Sequence, residues 1–157
     1  MVRVGNAGER GAAAVEFAIV LPLLCAILFG IVEFSLVMYN KAQITAASRN
    51  GARFGTMWSP GSRPSCDVIR AASGPVRSYE RGMITFGGSN AITTTCPGAA
   101  NNTNPICTQD GHETLTVRAE FTYRLLLDPT RFLSFYTGTS SNWTALLLRS
   151  ETIMRCE

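Results

Sequence analysis

From Ala12 to Tyr39 the chain reads AAAVEFAIVLPLLCAILFGIVEFSLVMY, apolar except for Glu16, Glu33 and Ser35 and uncharged from Phe17 to Val32. A run of that length can cross a bilayer as a helix. At the helical rise, Ala12 to Glu33 spans roughly 31 Å against a hydrocarbon thickness of about 30 Å, which sets Glu33 at one interface and Glu16 one turn inside the other. The pattern then changes without breaking. NKAQITAASRNGARFGTMW has no helix breaker before Gly51, and Ile44, Ala47, Ala52 and Phe54 fall near one stripe. One helix should therefore continue beyond the apolar run and stop near Gly55, ahead of the turn around Pro60 and Pro64.

Past that turn the apolar positions predict shorter elements. Val68, Ile69 and Ala72 are spaced for one face of a helix over Cys66 to Ser73, which Gly74 and Pro75 stop. Two short strands are expected at Met83 to Phe86 and Ala91 to Thr95, separated by Gly87 and Gly88. The plainest signal is Glu113 to Leu126, where Leu115, Val117, Ala119, Phe121, Tyr123 and Leu125 alternate with polar residues, the mark of a half-buried strand. Asp128-Pro129 marks a turn, Phe132 to Tyr136 packs as a loop or short helix, and a last strand runs from about Trp143 to Arg155. The expected fold is α+β, with a long N-terminal transmembrane stem helix packed on a small antiparallel sheet in a pilin-like layout. Its segments are a leader over 1–11, a membrane and stem helix over 12–56, and an exported domain over 57–157.

At 157 residues there is room for one such domain beside the membrane segment. The formal charge is +3, and its basic residues, Lys41 and the arginines, are scattered without a run, so the basic stripe of a nucleic-acid reader is missing. Cys25 lies inside the apolar run as a small apolar side chain, whereas Cys66, Cys96, Cys107 and Cys156 all follow it. An even set on one side of a membrane points to disulfides in an oxidising compartment. Of the three possible pairings, the short Asn-, Pro- and Gly-rich interval favours Cys96 with Cys107, leaving Cys66 with Cys156. Flanking charge alone would place the N-terminus outside, since Lys41, Arg49 and Arg53 follow the run. The cysteines argue for the opposite topology, with the N-terminus cytoplasmic and the C-terminal part periplasmic.

The apolar run is longer than the core of a cleavable secretory signal, and it carries a carboxylate at its start. An acid one turn into a membrane helix costs a few kcal/mol unless it snorkels or has a partner. The sequence RGAAAVEF suggests the partner. Cleavage after Gly11 would make Ala12 a new N-terminus, four residues before Glu16 and on the same helical face. Amine and carboxylate would meet in a low-dielectric setting, within one chain or between neighbours, and only the second arrangement drives assembly. Pro22 lacks an N–H, so the carbonyl of Ala18 loses its helical partner and a kink is expected there.

Residues 10 to 55 carry Gly11, Glu16, Phe17, Pro22, Glu33, Phe34 and a Gly51-Ala52-Arg53 ending. In this they resemble the TadE-like family of minor pilins, or pseudopilins, of tight-adherence (Flp-type) pilus systems. The resemblance implies a short polar leader cut after Gly11 by a prepilin peptidase, Glu16 and Phe17 as assembly and register residues, and the inner membrane as location, with incorporation into a surface pilus. It implies as partners other pilin and pseudopilin subunits and inner-membrane platform proteins driven by a cytoplasmic ATPase. Phe17 stands where major pilins of these systems commonly have Tyr, and those pilins are much shorter; both departures lean toward the pseudopilin branch. The likeness covers about a third of the chain.

Enzymatic readings find little to work with. His112, in QDGHE, is the sole histidine, so a triad would depend wholly on a loop residue. Cys96, Cys107 and His112 lack zinc-site spacing, and Gly87-Gly88 lacks the Lys-Ser/Thr of a phosphate loop, so no metal or cofactor is expected. The triplets at Asn101 and Asn142 match a glycosylation pattern that is frequent by chance. The rival reading is a single-pass membrane-anchored periplasmic binding module without processing.

Overall fold

The computed structural model describes residues 7–57, 64–71, 73–97, 107, 114–126, 138 and 145–156. They form a long helix α1 (Ala7–Thr56), a short helix α2 (Cys66–Arg70), a 3₁₀ helix (Arg77–Gly82) and strands β1 (Thr93–Thr95), β2 (Thr114–Arg124) and β3 (Ala145–Arg155). The strands make an antiparallel sheet in the order β1-β2-β3, with Thr94 opposite Ala119 and Ala119 opposite Ser150. This is the α+β class expected from the pattern. The chain divides into two compact units, Met1–Ser35 and Leu36–Glu157.

In the unit Leu36–Glu157, the later part of α1 buries one stripe: Asn40, Ile44, Ala47, Ser48, Gly51, Ala52 and Gly55. Steps of three and four residues keep these on one helical face. Most are small, and the sheet comes close because of it. A Cβ added at Gly51 would lie 3.0 Å from Val76 Cγ2 and 3.3 Å from Val117 Cγ1, and one at Gly55 would overlap Leu115 Cδ2. Leu115, Val117, Ala119, Phe121 and Tyr123 of β2 are all buried, so the alternation read from the sequence is the inward face of the sheet. Ile69 of α2 and Val76 close the core beside them.

Strand β3 meets the helix through hydroxyls rather than methyls. Ser48 Oγ donates to the Thr45 carbonyl at 3.0 Å and stands 3.1 Å from Ser150 Oγ and 2.9 Å from Thr152 Oγ1. One proton and two lone pairs are what a serine hydroxyl offers, so all three contacts can be satisfied at once. Lys41 Nζ also donates to the carbonyl of Arg149. On the outward face, Arg118, Glu120, Arg149 and Glu151 form a cross-strand lattice, with Arg118–Glu151 at 3.3 Å and Arg149–Glu120 at 3.7 Å. The hydrogen bond from Arg149, joined by the nearby Arg118 guanidinium, holds the Glu151 carboxyl below its usual range against the opposing effect of desolvation.

Several expectations are corrected here. Disulfides join Cys66 to Cys96 and Cys107 to Cys156, not Cys96 to Cys107. Both bonds connect the ends of packed elements: the first ties the start of α2 to the residue after β1, and the second secures the residue after β3. Proximity along the chain was a poor guide because the sheet, not the intervening loop, positions these cysteines. Met83 to Phe86 is not a strand. Asn40 takes both backbone groups of Ile84, and a single sheet-like bond runs from the Phe86 N–H to the Arg124 carbonyl at 3.4 Å. The strand expected from Ala91 begins only at Thr93, since the Ile92 N–H is held by Glu80 Oε1 at 2.8 Å. Helix α2 stops at Arg70, where Ala71 turns to extended backbone, rather than at Ser73. The cluster Phe132 to Tyr136 lies outside the described residues.

Two measurements test this packing. Peptide mapping of the unreduced protein should recover Cys66 linked to Cys96 and Cys107 linked to Cys156, and a Cys96–Cys107 peptide would refute the arrangement. Gly55→Leu should overpack the helix–sheet seat and cost about 1–3 kcal/mol, read as a lower urea midpoint in detergent. Gly30→Leu should change little, because a Cβ there meets nothing within 4 Å.

Candidate functional site

In the unit Met1–Ser35, the described residues 7–35 are helix without a covering core. Val15, Phe17, Ile19, Leu23, Ile27, Phe29 and Val32 are all about half exposed or more, and at 100° per residue they are distributed around the whole circumference. A helix apolar all round requires an apolar surrounding or apolar partners. Its most apolar window has a mean hydropathy of 2.6, which makes it a candidate membrane span by length and composition.

The residues singled out at its start are placed as follows. Helix α1 begins at Ala7, so Gly11 is inside it rather than at its edge, and a Cβ at Gly11 would meet nothing within 4 Å. Ala12, Glu16 and Phe17 are exposed. Ala12 and Glu16 stand one helical turn apart on the same face, as their spacing required. Helix α1 continues through Pro22, whose missing N–H leaves the carbonyl of Ala18 without its usual donor. Glu33 is half-buried, as is Cys25, which is a free thiol. The candidate residues therefore fall into two groups. Gly11, Ala12, Glu16, Phe17 and Pro22 belong to the N-terminal unit, and the four paired cysteines belong to the C-terminal one.

Among the described residues of the C-terminal unit, the open grooves include two. One, of about 550 Å³, runs along Met38, Lys41, Thr45, Arg49 and Tyr79; the other, of about 450 Å³, is lined by Asp67, Arg70, Arg77 and Thr94. The arginines of the second are engaged in ion pairs, Arg70 with Asp67 at 3.7 Å and Arg77 with Glu80 at 2.9 Å. Among the described residues, no group of three or more His, Cys, Asp or Glu is placed to hold a metal ion. His112 and the triplets beginning at Asn101 and Asn142 lie outside the described residues.

A residue missed by the sequence reading organises the entry to this unit. Asn40 is fully buried, with Nδ2 donating to the Ile84 carbonyl at 2.6 Å and Oδ1 accepting from the Ile84 N–H at 3.0 Å. The side-chain amide thus replaces one rung of a β-ladder. Its signal was available, since Asn40 lies four residues before Ile44 on the buried stripe, and a polar residue there needs a partner.

Compared with known proteins, residues 11–53 match the model of the family described as TadE-like protein. The match begins at the proposed cut, includes Glu16 and Asn40, and ends at Arg53 within the seat of the sheet. No curated protein and no solved structure gave a match.

Removing the Asn40 amide should release the segment it holds. Asn40→Ala is expected to lower stability by about 1–3 kcal/mol, the cost of leaving backbone groups without partners. Hydrogen exchange should report the loss at the Ile84 amide first. Unchanged protection there would show that the amide pairing is not what holds the segment.

Proposed function

We propose that this chain, TadE-like over residues 11–53, is a minor pilin or pseudopilin that takes part in assembling a tight-adherence pilus. The observation that carries the reading is the coincidence of that match with an apolar helix exposed on every side. Such a surface suits a subunit that rests in lipid and then packs against other subunits. The role is structural rather than catalytic.

In this reading the leader is removed after Gly11 by a prepilin peptidase at the cytoplasmic face of the inner membrane. The C-terminal unit, with its two disulfides, lies in the periplasm, where oxidation is favoured. The new amine of Ala12 then pairs with Glu16, and the productive partner is the Glu16 of a neighbouring subunit. A wrong axial register leaves a carboxylate unpaired in an apolar setting, which costs several kcal/mol and rejects the misplacement. The freed carbonyl of Ala18 beside Pro22 gains a donor only when another helix comes close. Inner-membrane platform proteins and the other pilin subunits are the partners this sequence of events requires.

N-terminal sequencing of the purified protein tests the processing step. A mature chain beginning at Ala12 is expected, whereas an intact Met1 would favour a membrane-anchored binding module. Glu16→Leu should still insert into the membrane and should fail to enter pili. Normal piliation by that variant would refute the pairing.

A further inference from the structure

Among the described residues, strand β3 lies at an edge of the sheet, with β2 on one side and no strand on the other. Which of its backbone groups face the open side follows from the far end of the ladder. The Arg124 N–H donates to Thr85 Oγ1 at 3.0 Å, and the Arg124 carbonyl accepts from the Phe86 N–H, so both groups of Arg124 point away from β3. Along an antiparallel strand that direction alternates residue by residue. Arg118, Glu120 and Thr122 therefore also point away from β3, while Val117, Ala119 and Phe121 bond to their partners Thr152, Ser150 and Leu148. The N–H and C=O groups of Leu147, Arg149, Glu151 and Ile153 are left directed outward. The ammonium group of Lys41, which donates to the Arg149 carbonyl, agrees with this assignment. The side chains of the same four residues share the outward sheet face. Leu147 and Ile153, 61% and 64% exposed, bracket Arg149 and Glu151.

We propose that this edge accepts an extended segment of another pilus subunit as an added antiparallel strand. The identity of the donor rests on the pilus reading given above. An unpaired edge selects its occupant by geometry, because a row of N–H and C=O groups is matched only by another extended backbone. Antiparallel pairing then sets the order of donor side chains at alternate positions: apolar opposite Ile153, basic opposite Glu151, acidic opposite Arg149 and apolar opposite Leu147. Strand β3 of a second copy carries this order itself, but a folded copy fits worse than a bare segment. Pairing in that register would bring a second α1 and a second Lys41 onto the sheet face that α1 already covers, one ammonium group near the other. A bare segment brings neither. Lys41 does not block the site, since the Arg149 carbonyl has a second lone pair, and a lysine at an edge discourages indiscriminate pairing.

The probe is a synthetic peptide of residues 145–155, which has the required order in Leu147, Arg149, Glu151 and Ile153 and lacks α1. It is added to the full, isotopically labelled chain in detergent micelles, and amide exchange is read residue by residue. Without peptide, the amides of Leu147, Arg149, Glu151 and Ile153 should exchange several-fold faster than those of Leu148, Ser150 and Thr152. Peptide should slow the first set and leave the second unchanged. Leu147→Pro removes one outward N–H and spares the β2 ladder, so it should weaken peptide binding about tenfold with both disulfides still formed. Outward amides already protected without peptide, no protection at millimolar peptide, or protection without the alternation would each overturn the edge site. A photo-reactive benzoyl-phenylalanine replacing Leu147 in piliated cells then identifies the occupant. Cross-linking to an extended segment of a different pilus subunit is expected, whereas cross-links to lipid, to a second copy or within the same chain would overturn the proposed donor. Failure of the pilus reading would show in N-terminal sequencing and piliation, and would leave the amide pattern unchanged.

Discussion

The close seat of β2 on the small-residue stripe of α1 is the contact from which the architecture of the C-terminal unit follows. Ala47, Ser48, Gly51, Ala52 and Gly55 leave room that larger residues would fill, and Leu115 and Val117 occupy it. Glycine within a helix is unfavourable by about 1 kcal/mol relative to alanine, so two of them in one stripe are explained by packing rather than by helix formation. Once β2 is fixed, the registers of β1 and β3 follow from the ladder, and the hydroxyls of Ser150 and Thr152 reach Ser48. The disulfides then restrain segments already brought together, and loops closed over 30 and 49 residues are each worth about 4 kcal/mol in the chain-entropy estimate.

Elements governed by periodicity were legible in advance. The apolar run, the stripe from Ile44 to Ala52, the alternation of β2 and the extent of β3 all depend on which residues face a core, and that is written in their spacing. The misread segments share one cause. At Ile84 and at Ile92 a distant side chain, Asn40 or Glu80, intercepts a backbone group that would otherwise join a strand. Apolar alternation carries no trace of such a partner. Disulfide pairing fails for a related reason, since it depends on where the sheet delivers its ends. Gly51 and Gly55 were visible as the end of the helix, yet their packing role appears only with Val117 and Leu115 in place.

The same helix follows opposite composition rules in its two units. Within residues 12–35 large side chains cover the circumference and remain exposed, whereas within 40–55 small ones line a single buried face. The first pattern suits a surrounding that is apolar and adaptable, the second a single rigid partner. Asn40 and Lys41 stand where the rules change, and both reach across to other elements, Asn40 to Ile84 and Lys41 to Arg149.

This contrast bears on how a fibre could be selected over the membrane. Lipid tails are about as apolar as leucine, so transferring Phe17, Leu24 or Leu28 from lipid to a neighbouring helix supplies little hydrophobic driving force. Packing alone would therefore tolerate many registers of one apolar helix against another. A buried carboxylate does not, because its energy depends steeply on whether an ammonium group lies beside it. In the proposed assembly Glu16 thus carries the register, while the apolar circumference supplies only compatibility with both surroundings.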